Sequence, residues 1–128
     1  MAYEAAQLKF GNLTAAADLS SKQYHFVKLA SATTVNVCTA ITDLPIGILQ
    51  NDPTSGQAAE VTIFGISKVV ADGTLAAGNV IGTSADSQAD AITRGTDTTV
   101  TVMGVAIEAA SAGETATMFL NPSGARAA

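Results

Sequence analysis

The sequence predicts a mainly β fold: a small compact β-barrel or β-sandwich domain with an extended N-terminal arm and at most one or two short helical turns. Three observations carry this. Sixteen threonines, together with abundant valine and isoleucine, supply the β-branched side chains that suit a pleated surface. Several short runs alternate apolar and polar residues with period two, separated by Gly, Pro, Asn and Asp. One strand–loop–strand pattern occurs twice. A length of 128 residues suits a single domain. Its core is modest, because 25 of the hydrophobic residues are alanine and only 36 are larger.

Residues 1–22 form the expected arm. They are Ala-rich and weakly patterned, with isolated large side chains at Tyr3, Leu8, Phe10 and Leu13, and Gly11-Asn12 interrupts any helical period. Two readings are open: an arm ordered against a partner, or an ordinary first strand plus turn. The β domain spans residues 23–121. Strands are expected at Tyr24–Leu29, at Thr34–Cys38 and at Leu44–Leu49, where Pro45 marks a strand start or edge. After the turn-rich Asn51–Gly56, Glu60–Phe64 alternates cleanly and Ile66–Val70 continues it beyond Gly65. Asp72-Gly73 is a turn signal, Leu75–Gly78 fits a single helical turn, and Val80-Ile81 opens another strand. Residues 83–91 read as a polar loop or loose hairpin tip. Strands are expected at Thr98–Val102, Met103–Ile107 and Ala116–Leu120, and residues 122–128 as a frayed tail.

The repeated pattern carries more weight than any one strand. Ile46-Gly47-Ile48-Leu49, Ser55-Gly56-Gln57 and Val61-Thr62-Ile63 align without gaps on Met103-Gly104-Val105-Ala106, Ala112-Gly113-Glu114 and Met118-Phe119-Leu120, 57 residues later. Units 46–64 and 103–121 therefore share one plan: an apolar residue, Gly, a strand, a stretch closing on Gly, and a second strand. Two copies are too few for a solenoid and suit a closed or sandwiched domain built from related halves.

Candidate chemistry is sparse. A net charge of −5 with six scattered basic residues gives no cationic footprint for nucleic acid. No apolar run is long enough for a spanning helix, and no basic stripe flanks a hydrophobic face, so no membrane partner is expected. The opening Met1-Ala-Tyr-Glu lacks a secretory pattern, and the single Cys38 forbids an internal disulfide, which points to synthesis in a reducing cytosol. No two glycines stand two residues apart, so G-x-G-x-x-G and G-x-S-x-G are absent. Gly73 and Gly78 have P-loop spacing, but Asn79-Val80 follows where Lys-Ser/Thr is required. One His and one Cys are too few for zinc. Asp86, Gln88 and Asp90 echo the first ligands of a calcium loop, yet Ala91 and Asp97 stand where Gly and Glu are needed. His25, on a face with Val27 and Leu29, reads as structural rather than catalytic, and Cys38 as a small buried hydrophobe. Six aromatic residues and no Trp leave little for a sugar platform. Neither catalytic residues nor a cofactor or metal are expected.

The stretch Pro45-Ile-Gly-Ile-Leu49, Gly56 and Val61-Thr-Ile-Phe-Gly-Ile-Ser67 runs on through Lys68-Val-Val-Ala-Asp-Gly73 into Leu75-Ala-Ala-Gly-Asn-Val-Ile-Gly82. Together with the closing Met103–Leu120, it resembles the small capsid cement, or head decoration, proteins of tailed bacteriophages. The order and spacing of short apolar elements over residues 24–120 carry the resemblance. It departs between Thr83 and Ala91, where such proteins often have an Asp-Gly turn and this chain has Ser84-Ala85-Asp86-Ser87. The resemblance implies a virion protein on the outer surface of the expanded capsid, commonly a homotrimer. Its partner would be the major capsid protein, whose neighbouring subunits it ties together against the pressure of packaged DNA. Tyr3, Leu8, Phe10 and Leu13 are the expected capsid or neighbour contacts, the arm pairing with an exposed strand. A host- or glycan-binding surface module, of head-fibre or adhesin type, is the alternative; a small enzyme is a third class.

Overall fold

The computed structural model describes residues 2–122; most of the expected tail lies outside the described residues. Nine strands follow one another: β1 Ala5–Ala15, β2 Phe26–Leu29, β3 Thr34–Val37, β4 Gly47–Leu49, β5 Ala58–Val70, β6 Val80–Thr83, β7 Ala89–Ala91, β8 Gly104–Ala106 and β9 Thr115–Leu120. Among the described residues no helix forms, and Leu75–Gly78 is a non-helical turn. The small β fold expected from composition and alternation is the one observed.

The strands hydrogen-bond in the order β1-β3-β2-β4-β5-β9-β8-β6-β7, and β1 also pairs with β5. That extra pairing closes β1-β3-β2-β4-β5 into a ring. The remaining strands curl back through a parallel bridge between Ala71, just past β5, and Ala89 of β7. The molecule is thus two five-stranded rings that share the 13-residue β5. One edge of β5 takes β4 at Thr62 and β9 at Ile66, while its other edge takes β1 at both points.

The rings are two copies of one plan. In the first, Ile48 faces Thr62 and Leu49 faces Val61; in the second, Val105 faces Phe119 and Ala106 faces Met118, in the same register. Phe26 and Val27 face Ile48 and Gly47 just as Val80 and Ile81 face Val105 and Gly104. The parallel pair Ala15 and Val35 returns as Ala71 and Ala89. Turn chemistry repeats too. Asp43 accepts from the Thr39 amide at 2.8 Å, and Asp97 from the Thr93 amide at 2.7 Å. The duplication therefore reaches well beyond units 46–64 and 103–121, back into β1, β2 and β3.

Each ring has its own apolar centre. Leu13, Leu19, Val27, Val35, Leu49 and Val61 fill the first. Val69, Leu75, Ile81, Met103, Met118 and Leu120 fill the second, joined there by Phe26, Cys38 and Ile48 from the first ring. Successive residues of a strand point to opposite faces. Phe26 and Ile48 thus enter one core while their neighbours Val27 and Leu49 enter the other, so β2 and β4 form the wall between them. Both rings are tightest at equivalent points of β4 and β8: a Cβ on Gly47 would stand 2.2 Å from the Thr62 carbonyl oxygen, and one on its counterpart Gly104 1.9 Å from that of Phe119.

The structure decides two open readings and corrects one expectation. Residues 5–15 follow the strand reading rather than the arm, and that strand completes the first ring. Glu60–Phe64 runs on into Ile66–Val70 as one strand, with Gly65 inside it. Residues 83–91 take the hairpin reading, closing in β7 paired with β6. Thr98–Val102 makes no ladder: relative to the first ring it is extra chain between the Asp97 turn and Met103, so its β-branched residues span a crossing rather than a sheet.

Candidate interaction surface

Of the expected contact residues, three stand at the surface and one does not. Tyr3, Leu8 and Phe10 are each more than two-fifths exposed, whereas Leu13 is 3% exposed and packs inside the first ring. Leu13 is corrected from a contact to a core residue, because β1 turns into the barrel at that point. From Ala5 to Asn12 β1 lies on the outside of β5, almost every side chain exposed. Its register slips three times, and Ala6 and Asn12 take positive φ of 48° and 65°, so this half is a bulged strand. It is fastened by polar contacts: Gln7 Nε2 donates to the Ile66 carbonyl at 3.0 Å, Thr62 Oγ1 donates to Gln7 Oε1 at 3.1 Å, and Lys9 pairs with Glu60. The Tyr3 amide donates to Thr117 Oγ1 at 2.8 Å. Only Thr14 and Ala15 of β1 pair with β3, so the strand's other edge is open over its N-terminal half. Beneath the bulge a groove of about 530 Å³ runs between Phe10, Asn51 and Ala58–Glu60.

Beside β1 the outer face is apolar. Leu8 faces Phe64 across β1–β5, Phe64 meets Phe119 edge-on with ring centroids 5.5 Å apart, and Phe119 faces Val105 across β9–β8. The four form a stripe across adjacent strands, exposed by 58%, 44%, 37% and 39%. Patches of this kind on a small protein mark interaction surfaces. Sequence reasoning found Leu8 and missed the rest, although a signal was present. In β5, Phe64 shares its period-two face with Glu60 and Lys68, and a face carrying charges points outward.

The residues considered for chemistry sit elsewhere. His25 is buried, with Nδ1 2.7 Å from Ser87 Oγ. Ser87 Oγ donates its own proton to the Asp86 carbonyl, so the imidazole donates from Nδ1 and Ser87 accepts. That is the reverse of a serine activated by a base. Burial, with the charge of Lys22, holds His25 below its usual range. The buried Cys38 thiol is pushed up to about 12 by burial and by Asp43, which keeps it a protonated packing group. Asp90 is held above its ordinary value by burial, opposed by the Ala91 amide and reinforced by Asp72 and Asp97. Among the described residues no three of His, Cys, Asp and Glu converge in a way that could hold a metal ion.

No family model matches the chain, and no curated protein matches it. Among solved structures, the head fibre gp8.5 N base of bacteriophage phi29 is similar. It has a TM-score of 0.67 and 18% sequence identity, covering 91% of this chain and 95% of that one. At that identity the likeness establishes a shared fold over nearly the full length of both chains.

Proposed function

We propose that the chain is a non-catalytic structural protein of the tailed-phage virion, carried on the outer surface of the head. There it binds the major capsid protein, as a homotrimer, and cements neighbouring subunits against internal DNA pressure. The observation that supports this most is the fold shared over nearly the full length of the base of a phage head fibre. The surface agrees with it: an open strand edge along β1 and an apolar stripe beside it suit attachment to another protein by strand addition and apolar contact. Several copies acting together would turn modest contacts into firm attachment.

The same neighbour favours a second reading, in which the chain is a base that seats a fibre, with host or glycan binding carried by what stands on it. Both readings predict binding to expanded heads and not to unexpanded procapsids. They part on stability. A cement raises the temperature at which filled heads release DNA, whereas a fibre base occupies the head and leaves that temperature unchanged. Failure to bind either form of its phage's head would refute both.

A further inference from the structure

The two rings are built alike but are not covered alike. In the first ring the outer face of β2, β4 and β5 carries Phe26, Ile48 and Thr62, all fully buried. Phe26 and Ile48 are buried because the second ring packs there: both belong to the cluster built around Met103, Met118 and Leu120. The equivalent face of the second ring carries Val80, Val105 and Phe119 at the same register positions. No ring packs on it: Phe64 meets Phe119 at its edge, and the N-terminal segment reaches only the neighbouring Thr117, through the Tyr3 amide. Val105 and Phe119 stand 39% and 37% exposed, with Phe64 continuing the surface on β5. At the position where the first ring has the polar Thr62, the second has phenylalanine.

We propose that this face of the second ring, centred on Val105 and Phe119, is a self-association surface occupied by a second copy of the chain. The contact inside the molecule is the argument for that occupant. A ring of this fold already seats its β2–β4–β5 face against another ring, and the second ring presents the same face, more apolar, with no ring to meet. The contact between copies differs from the internal one in one respect. Inside the chain, Tyr24–Phe26 part the seam between β5 and β7: the Val70 amide donates to the Tyr24 carbonyl, and the Phe26 amide to that of Ser87. The matching seam of the first ring is shut, the Thr14 amide donating to the Thr33 carbonyl at 3.0 Å. Copies therefore meet surface on surface, without an inserted segment. Such a contact forms and dissociates without unfolding either partner. The inference rests on the self-association in the reading above and not on the phage head.

The test is sedimentation equilibrium of the full chain over a wide concentration series, beside the double variant Val105→Lys/Phe119→Glu. The paired charges face each other across β8–β9, which keeps the sheet supported. Wild type is expected to be oligomeric, and the variant to self-associate roughly a hundredfold more weakly or worse, because two charges would lose their water in the contact. Leu44→Lys, at a large apolar residue exposed still further on the loop before β4, should leave assembly unchanged. If the charged pair fails to melt cooperatively, Val105→Thr/Phe119→Thr keeps strand-forming residues and makes the same test. A wild-type chain that is monomeric throughout, or an oligomer that survives both variants, overturns the proposal. A monomer whose Phe119 variant loses head binding assigns the face to the shell instead, and leaves the phage-head reading standing.

Discussion

Two pairs of glycines differ in what they demand: Gly47 and Gly104 are crowded, Gly104 at φ +152° as well, while Gly56 and Gly113 are conformational alone. Gly47 and Gly104 face a backbone carbonyl of the neighbouring strand that cannot move aside, so Gly47→Ala or Gly104→Ala should cost ~2–4 kcal/mol in urea unfolding. Gly56 and Gly113 take φ of +82° and +83° with open space around the missing side chain, so alanine there should cost only ~1–2 kcal/mol. The Gly47 and Gly56 pairings were legible in the sequence; which glycine was crowded was not, because crowding comes from a partner strand. His25 supplies a pH test. Its folded state resists protonation because the ring is buried beside Lys22. Below the unfolded pKa of ~6.5 the unfolded chain binds the proton first, so stability is unaffected above that pH and falls as pH drops toward the lower folded value. Melting temperature should therefore decline as pH falls below about 6.5, and His25→Asn should flatten that decline.

At the scale of elements, β1 is two strands in one. Its first half is held by backbone pairing and a few polar contacts, while Leu13 and Ala15 anchor its second half in the core. A chain lacking residues 1–12 should fold with a lowered melting temperature. Extending the cut through Ala15 should abolish cooperative melting, since it removes two core side chains and the closure onto β3. Occupancy on heads by the shorter truncation would show whether the exposed half is the clamp: occupancy equal to that of the full chain would refute that role. The sequence marked Leu8, Phe10 and Leu13 alike, because isolated large residues look the same until a strand bulges. The stretch Thr98–Val102 fails for the complementary reason. Its composition favours a strand, but it pairs only through a single bridge at Thr101, and β propensity is realised only against a neighbour.

At the scale of the molecule, the shared β5 and the wall of β2 and β4 tie the rings into one cooperative unit. A fragment ending at Phe64 would expose Phe26 and Ile48 and lose the second half of β5. It should be unfolded by far-ultraviolet circular dichroism, and the full chain should show a single calorimetric transition. Two transitions would mean that the rings fold independently. The repeat was half legible in advance. Units 46–64 and 103–121 aligned without gaps, yet Thr39-x-x-Thr42-Asp43 and Thr93-x-x-Thr96-Asp97 also stood in plain view and went unpaired. Loops of unequal length between them shift the offset, and short motifs lose significance when their spacing changes.

The sequence by itself determined that the chain is β, that its turns fall near Gly56, Asp72-Gly73 and Gly113, and that one strand–loop–strand plan was used twice. These follow from period-two alternation and backbone preference, which act within a few residues. The tertiary structure decided that residues 5–15 close a ring rather than hang free, that Leu13 is core, and that Phe64, Val105 and Phe119 form one apolar stripe. Those outcomes depend on which strands become neighbours, and strand pairing joins residues far apart in the chain through contacts that no local pattern encodes.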